Sequence, residues 1–254
     1  MLNQYSDYIT GDRHGERGVL ALSHKNWKEG ALLTRDNHLF IAGDFAVVYS
    51  NPPIKSELNC LDWLNKNPWT TLVVDGNHEN FPLLNALPRK RYCGGEVGII
   101  RENVLHLRRG EIYTINGSTY FIFGGAQSHD IQDRIERAYS KNPNYRKQIR
   151  PIEWWEDELP SKEEMKNGLR NLEKINYEVD YVITHTAPVS IIQKYASKLD
   201  IPYIVNDILV QYLETITNKL KFKTHYFGHF HKDIKLDDKY TCVYNKIIKI
   251  GYGK

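Results

Sequence analysis

Thr71-Leu-Val-Val-Asp-Gly-Asn-His-Glu79 is the stretch on which the reading of this chain turns. Thr71 to Val74 is a short apolar run with no polar alternation, the pattern of a strand buried on both faces. It breaks at Gly76 and continues as Asn77, His78 and Glu79: an amide, an imidazole and a carboxylate in a row. Open α/β sheets place their ligands beyond the carboxyl ends of the strands, so this polar tail is where chemistry is expected. The same arrangement recurs along the chain. Tyr8 to Thr10 runs into Gly11-Asp12-Arg13-His14-Gly15, Leu39 to Ala42 into Gly43-Asp44, Tyr181 to Thr184 into His185, and Thr224 to Phe227 into Gly228-His229-Phe230-His231. In an extended segment His229 and His231 would point the same way.

Between the early strands lie amphipathic stretches such as Glu57 to Lys66, which makes the first half a βαβ pattern. From Val104 the pattern changes to consecutive strands. Glu111 to Ile115 and Thr119 to Phe123 flank Asn116-Gly117, a dipeptide suited to a tight antiparallel hairpin. Ser161-Lys-Glu-Glu164 is a capping box that opens a helix to about Ile175. A helix from about Asp207 to Leu220 and two closing strands, near Tyr240 to Tyr244 and Lys246 to Ile250, complete a reading of two sheets flanked by helices.

With 254 residues and no repeat or flexible linker, the chain reads as a single domain spanning 1–254, with a polar and aromatic insertion at about 130–160. A core of that size needs neither disulfide nor metal merely to fold. The net charge of +3 is too small for indiscriminate binding to nucleic acid or an anionic membrane. Cys60, Cys93 and Cys242 lack metal-finger spacing and read as buried thiols of a reducing compartment. The amino-terminal residues lack a basic segment followed by an apolar one, and nowhere do 18 apolar residues run together, so a soluble cytoplasmic protein is expected.

Taken together, the strand-end motifs collect two aspartates, one asparagine and four histidines: Asp12, His14, Asp44, Asn77, His185, His229 and His231. Oxygen and nitrogen donors of these types suit divalent ions, and seven exceed what one four-coordinate zinc would use. The surplus points to two metals sharing a carboxylate.

In its order of D-x-H, GD, GNH[DE], H and GHxH motifs the chain resembles the calcineurin-like metallophosphoesterases, with phrasing closest to small bacterial or phage members. The resemblance covers Asp12 to His231. It implies a four-layer αββα sandwich of two mixed sheets with flanking helices, and metals at the carboxyl ends of the strands. It further implies that Asp12, His14, Asp44 and His231 bind one ion and Asp44, Asn77, His185 and His229 the other, Asp44 bridging. The ions would be manganese, iron or zinc. The implied reaction is hydrolysis of a phosphomonoester or phosphodiester by in-line attack of a hydroxide held by the metals. His78 would be the catalytic residue, donating a proton to the leaving oxygen or stabilising its charge, with Glu79 or another acid orienting it. The Asp-Arg-Gly extension of the family's protein phosphatases is absent after Gly43-Asp44, which argues against a phosphoprotein substrate.

Several residues are candidates for holding substrate. Arg13 lies inside the first motif, and His129 ends the Gly-rich stretch after Phe123. Arg146 and Arg150 belong to a basic tract, with Arg134, Arg137, Lys141 and Lys147, interleaved with Tyr139 and Tyr145. Such a composition can hold phosphates and stack bases, so a nucleotide or nucleic-acid partner fits, and a nuclease or cyclic-nucleotide diesterase is the rival activity. A silent protein-binding scaffold is the rival from outside enzymes. The sequence carries no signal for oligomeric state.

Overall fold

A computed structural model describes residues 6–129, 155–202 and 205–251. The first sheet contains β1 (Tyr8–Thr10), β2 (His38–Ala42), β3 (Thr70–Val74), β4 (Arg89–Tyr92), β5 (Gly95–Arg101), β6 (Val104–Leu107) and, from the far end of the chain, β13 (Ile248–Lys249). Their spatial order is β13-β1-β2-β3-β6-β5-β4. The second contains β7 (Ile112–Ile115), β8 (Ser118–Phe123), β9 (Tyr181–Thr184), β10 (Thr224–Phe227), β11 (Ile234–Lys235) and β12 (Tyr240–Cys242), in the order β11-β12-β10-β9-β8-β7. Both are mixed. In the first, β1, β2, β3 and β6 are parallel, β13 and β5 run against them, and β4 pairs antiparallel with β5. In the second, β8, β9, β10 and β12 are parallel and β7 and β11 antiparallel.

The helices are α1 (Glu16–Val19), α2 (Lys55–Lys66), α3 (Phe81–Asn85), α4 (Lys162–Lys174), α5 (Val189–Lys194), α6 (Ala196–Leu199) and α7 (Ile208–Thr217). The unbroken apolar runs of the strands follow from the layering. Ile9, Phe40, Leu72, Val74, Ile122 and Ile183 fill the space between the sheets. Their alternating neighbours Tyr8, Leu39, Ile41 and Val73 pack outward with Leu61 and Leu64 of α2. On the other side Phe121, Phe123 and Val182 meet Leu172 of α4 and Leu209, Leu213 and Ile216 of α7. Strands covered on both faces are mostly apolar until they end, and the buried His106 of β6 and His225 of β10 are exceptions.

The capping box forms: Ser161 Oγ accepts from Glu164 N and the Glu164 carboxylate accepts from Ser161 N, opening α4. Asn116 (φ 49°) and Gly117 (φ 79°) make the left-handed turn of the β7–β8 hairpin. Three features differ from the sequence expectation. The two closing strands are shorter than expected, Tyr240–Cys242 and Ile248–Lys249, and β12 joins β10 in one sheet while β13 joins β1 in the other. The β4–β5 hairpin is additional; its first strand, Arg-Lys-Arg-Tyr, is an edge strand whose charge hides any apolar periodicity and deters further pairing. Cys93 is exposed in the turn of that hairpin, whereas Cys60 and Cys242 are buried. Among the described residues, no helix is long and apolar enough to cross a membrane.

Candidate metal centre

Each expected ligand lies just past a strand's carboxyl end. Asp12 follows β1, Asp44 follows β2 and Asn77 follows β3; His185 follows β9, and His229 and His231 follow β10. Parallel registers such as Ala42 opposite Val74 and Phe227 opposite Thr184 bring those ends level within each sheet. The chain then turns abruptly. His14, Asp44, His229 and His231 have φ of 47°, 48°, 68° and 52°, the left-handed region that costs a non-glycine residue about 1 to 3 kcal/mol. His229 and His231 are therefore not in an extended segment. His229 Nδ1 faces Asn77 Oδ1 at 3.1 Å, while His231 Nε2 faces His14 Nε2 at 3.0 Å.

Backbone hydrogen bonds knit the turns together. Arg13 N and His14 N donate to Asp44 O at 3.0 and 2.7 Å, His78 N donates to Asp44 Oδ1 at 2.9 Å, and His229 N donates to Asp12 Oδ1 at 3.0 Å. Glycine is required where these turns touch. A Cβ on Gly43 would lie 1.9 Å from His185 Nδ1, and one on Gly76 2.1 Å from Asp44 Oδ1.

Asp12, His14, Asp44 and His231 each offer a ligand atom, all within 4.8 Å of one another. Two of those atoms are the facing imidazole nitrogens of His14 and His231, and Asp12 Oδ2 is buried with no hydrogen-bond partner among the described residues. Converging lone pairs and an unsatisfied buried carboxylate oxygen fit a cation. A second group adjoins the first. His185 donates from Nδ1 to Ala42 O at 2.8 Å, so in the neutral ring Nε2 is the lone-pair atom. That nitrogen is 3.1 Å from Asn77 Oδ1 and 3.3 Å from Asp44 Oδ1. Asp44 thus turns one oxygen to each group, its Oδ2 lying 3.8 Å from His14 Nε2.

The electrostatics agree with the geometry. Burial pushes the Asp12 carboxyl up to about 7 against the pull of His185. Burial also opposes charge on Asp44, yet His185, His78 and His14 hold its carboxyl well below the usual carboxylate range. His185 would be lowered by burial, but Asp44 and Asp12 raise it to about 10. Buried carboxylates this close together favour positive charge beside them.

The calcineurin-like phosphoesterase family model matches residues 8–233. The chain belongs to that family. It is therefore a hydrolytic, metal-dependent phosphoesterase, and the two mixed sheets with flanking helices are the family's sandwich. No curated protein matches it.

The periphery of this calcineurin-like phosphoesterase is less as the sequence suggests. His78 is half-buried at the rim, its ring centroid 5.3 Å from that of His14. The buried Glu79 carboxylate accepts from Phe45 N at 2.7 Å and Ala46 N at 3.1 Å, tying the loop after Asp44 to the Gly76–Asn77 turn. Burial and then the Asp44 charge push Glu79 up to about 8. The Arg13 side chain is buried, with Nε donating to Gly11 O and Nη2 to Tyr244 O, so its guanidinium is engaged by backbone carbonyls. His129 is exposed, its ring centroid 6.4 Å from that of His229. Arg146 and Arg150, with the rest of the basic tract, lie outside the described residues.

Sequence reasoning passed over Tyr244, which stacks on His231 at 4.7 Å between ring centroids, and Ser128, whose Oγ accepts from Asn77 Nδ2 at 2.9 Å. A tyrosine among 17 and a serine in a Gly-rich turn give no signal of their own.

Proposed function

We propose that this phosphoesterase holds two divalent ions, manganese, iron or zinc, and hydrolyses phosphomonoesters or phosphodiesters. Asp12, His14, Asp44 and His231 would hold one ion, and Asp44, Asn77, His185 and His229 the other. The observation that carries this reading is the split of the Asp44 carboxylate, one oxygen toward His14 and the other toward His185. Because β1 to β3 supply some of these donors and β9 and β10 the rest, both sheets belong to one catalytic unit.

Such ions, when bound, neutralise phosphate oxygens and make water a competent nucleophile near neutral pH. The chain's own residues do the remainder. Ala42 O sets the His185 tautomer, so that Nε2 is the ligand atom. The strained turns hold His14, Asp44, His229 and His231 in place before substrate arrives, which avoids reorganisation during the reaction. His78, at the rim, donates a proton from its imidazole to the leaving oxygen. Beside it a cavity of about 390 Å³, lined by His14, Ala46, Tyr49, Ser50, Ile54 and Glu57, has room for the leaving group.

A nucleotide substrate draws support from the basic, tyrosine-bearing tract 134–150, which begins five residues along the sequence from His129, itself beside His229. Nuclease or cyclic-nucleotide diesterase activity is the form this would take on a diester. The test is elemental analysis of the purified protein together with turnover of p-nitrophenyl phosphate and its bis ester under manganese, iron and zinc. Two equivalents of metal with hydrolysis of either ester supports the proposal, and the favoured ester assigns the class. One equivalent, or none with no turnover, refutes the dinuclear reading.

A further inference from the structure

An asparagine that serves as a metal ligand has a difficulty that a carboxylate lacks. Its amide carries one oxygen able to coordinate and one NH₂ that cannot, and when the oxygen faces a cation the buried NH₂ must find an acceptor elsewhere. Asn77 is 3% exposed, with its Oδ1 3.1 Å from both His185 Nε2 and His229 Nδ1. On the opposite side Nδ2 donates to Ser128 Oγ at 2.9 Å.

Ser128 is itself held from outside the metal centre. It is 3% exposed, and its backbone N donates to Glu158 Oε2 at 3.0 Å. Glu158, also buried, ends the 3₁₀ turn Glu156–Glu158, and its carbonyl and that of Asp157 accept from Arg109 Nη2. Arg109 Nε donates to Asp75 Oδ2 at 2.7 Å, and Asp75 stands two residues before Asn77. Gly125 N donates to Asp75 O at 2.8 Å, which docks the segment carrying Ser128 on the end of β3. The contacts form a closed ring, Asn77 to Ser128 to Glu158 to Arg109 to Asp75 and back along the chain, whose members are all buried.

We propose that Ser128, seated by Glu158, is a positioning residue that keeps the Asn77 carbonyl oxygen turned toward the metal centre by accepting the amide's hydrogen. This rests on Asn77 being a ligand, as proposed above. Without the Ser128 hydroxyl, the ligating orientation leaves a buried NH₂ unpaired. The cost falls on metal binding at the Asn77 side of the centre and not at the Asp12 and His14 side.

The experiment is calorimetric titration of the metal-stripped full chain with Mn²⁺, comparing wild type, Ser128→Ala, Asn77→Ala and the double variant. Ser128→Ala should weaken one of the two binding events by roughly 10- to 100-fold, the usual effect of losing a group that orients a ligand, and leave the other unchanged. In the Asn77→Ala background the same change should have no further effect. Unaltered Mn²⁺ binding in Ser128→Ala, or a loss of equal size in both backgrounds, overturns the inference, because a purely structural serine acts whether or not Asn77 is present. If Asn77→Ala itself binds Mn²⁺ as wild type does, the assignment of Asn77 as a ligand fails first, and the inference with it. If only Ser128→Ala is without effect, the ligand assignment stands.

Discussion

Asp44 has its backbone at φ 48°, its carboxylate buried, and its two oxygens facing different histidines. Asp44→Asn replaces one of those oxygens with a donor NH₂, so turnover should fall by more than roughly a hundredfold while the fold, supported by the sheets, remains. Normal hydrolysis by a folded variant would remove Asp44 from its bridging role. His78 differs because its ring is half-buried beside His14, while its backbone N donates to Asp44 Oδ1. His78→Ala should lower the maximal rate by about 10² to 10⁴ yet keep both equivalents of metal, a combination read by pairing steady-state kinetics with elemental analysis. Loss of metal in that variant would make His78 a ligand or a structural residue.

At the level of the element, β10 carries both the metal-binding turn and a histidine of another kind. His225 is fully buried, its Nε2 2.7 Å from Thr184 Oγ1 on the neighbouring strand. Because Thr184 Oγ1 already donates to Thr186 O, His225 is the donor of the pair, and the contact steadies the turn that presents His185. Burial pushes the His225 imidazole down to about 3, far below its ordinary value of 6.5. Between those two values the unfolded chain binds a proton that the folded chain refuses. Stability should therefore fall as pH drops from about 6.5 toward 3, by up to about 1.4 kcal/mol per pH unit from this group, and be flat above that window. His225→Gln keeps a donor for Thr184 without the titration, so its urea midpoint should decline less steeply on acidification. Parallel declines in the two proteins would show that His225 does not set the acid limb.

For the whole molecule, the question is how far metal and fold depend on each other. The space between the sheets and both outer faces are filled by apolar side chains with no part in the centre. A ligand that binds only the folded state adds stability by mass action, about 2.7 kcal/mol when present at a hundred times its dissociation constant. The chelated protein should consequently unfold cooperatively at a lower temperature and regain the difference on reloading with Mn²⁺. Equal melting temperatures with and without metal would argue that the centre binds none, and loss of cooperative unfolding on chelation would make the ions structural.

What the sequence determined by itself was the set of strand-end motifs, because strands buried on both faces are mostly apolar, and the polar clusters at their ends stand out against that run. The Asn116-Gly117 hairpin and the Ser161–Glu164 capping box were legible for a similar reason: each depends on neighbours within a few residues. The tertiary structure alone decided which sheet the last two strands join, that Arg13 is consumed by backbone carbonyls and Glu79 by the loop after Asp44, and that Ser128 meets Asn77. Those contacts join segments far apart along the chain, and the residues that make them, a serine, an arginine, a tyrosine, are chemically ordinary until packing sets them beside a particular partner.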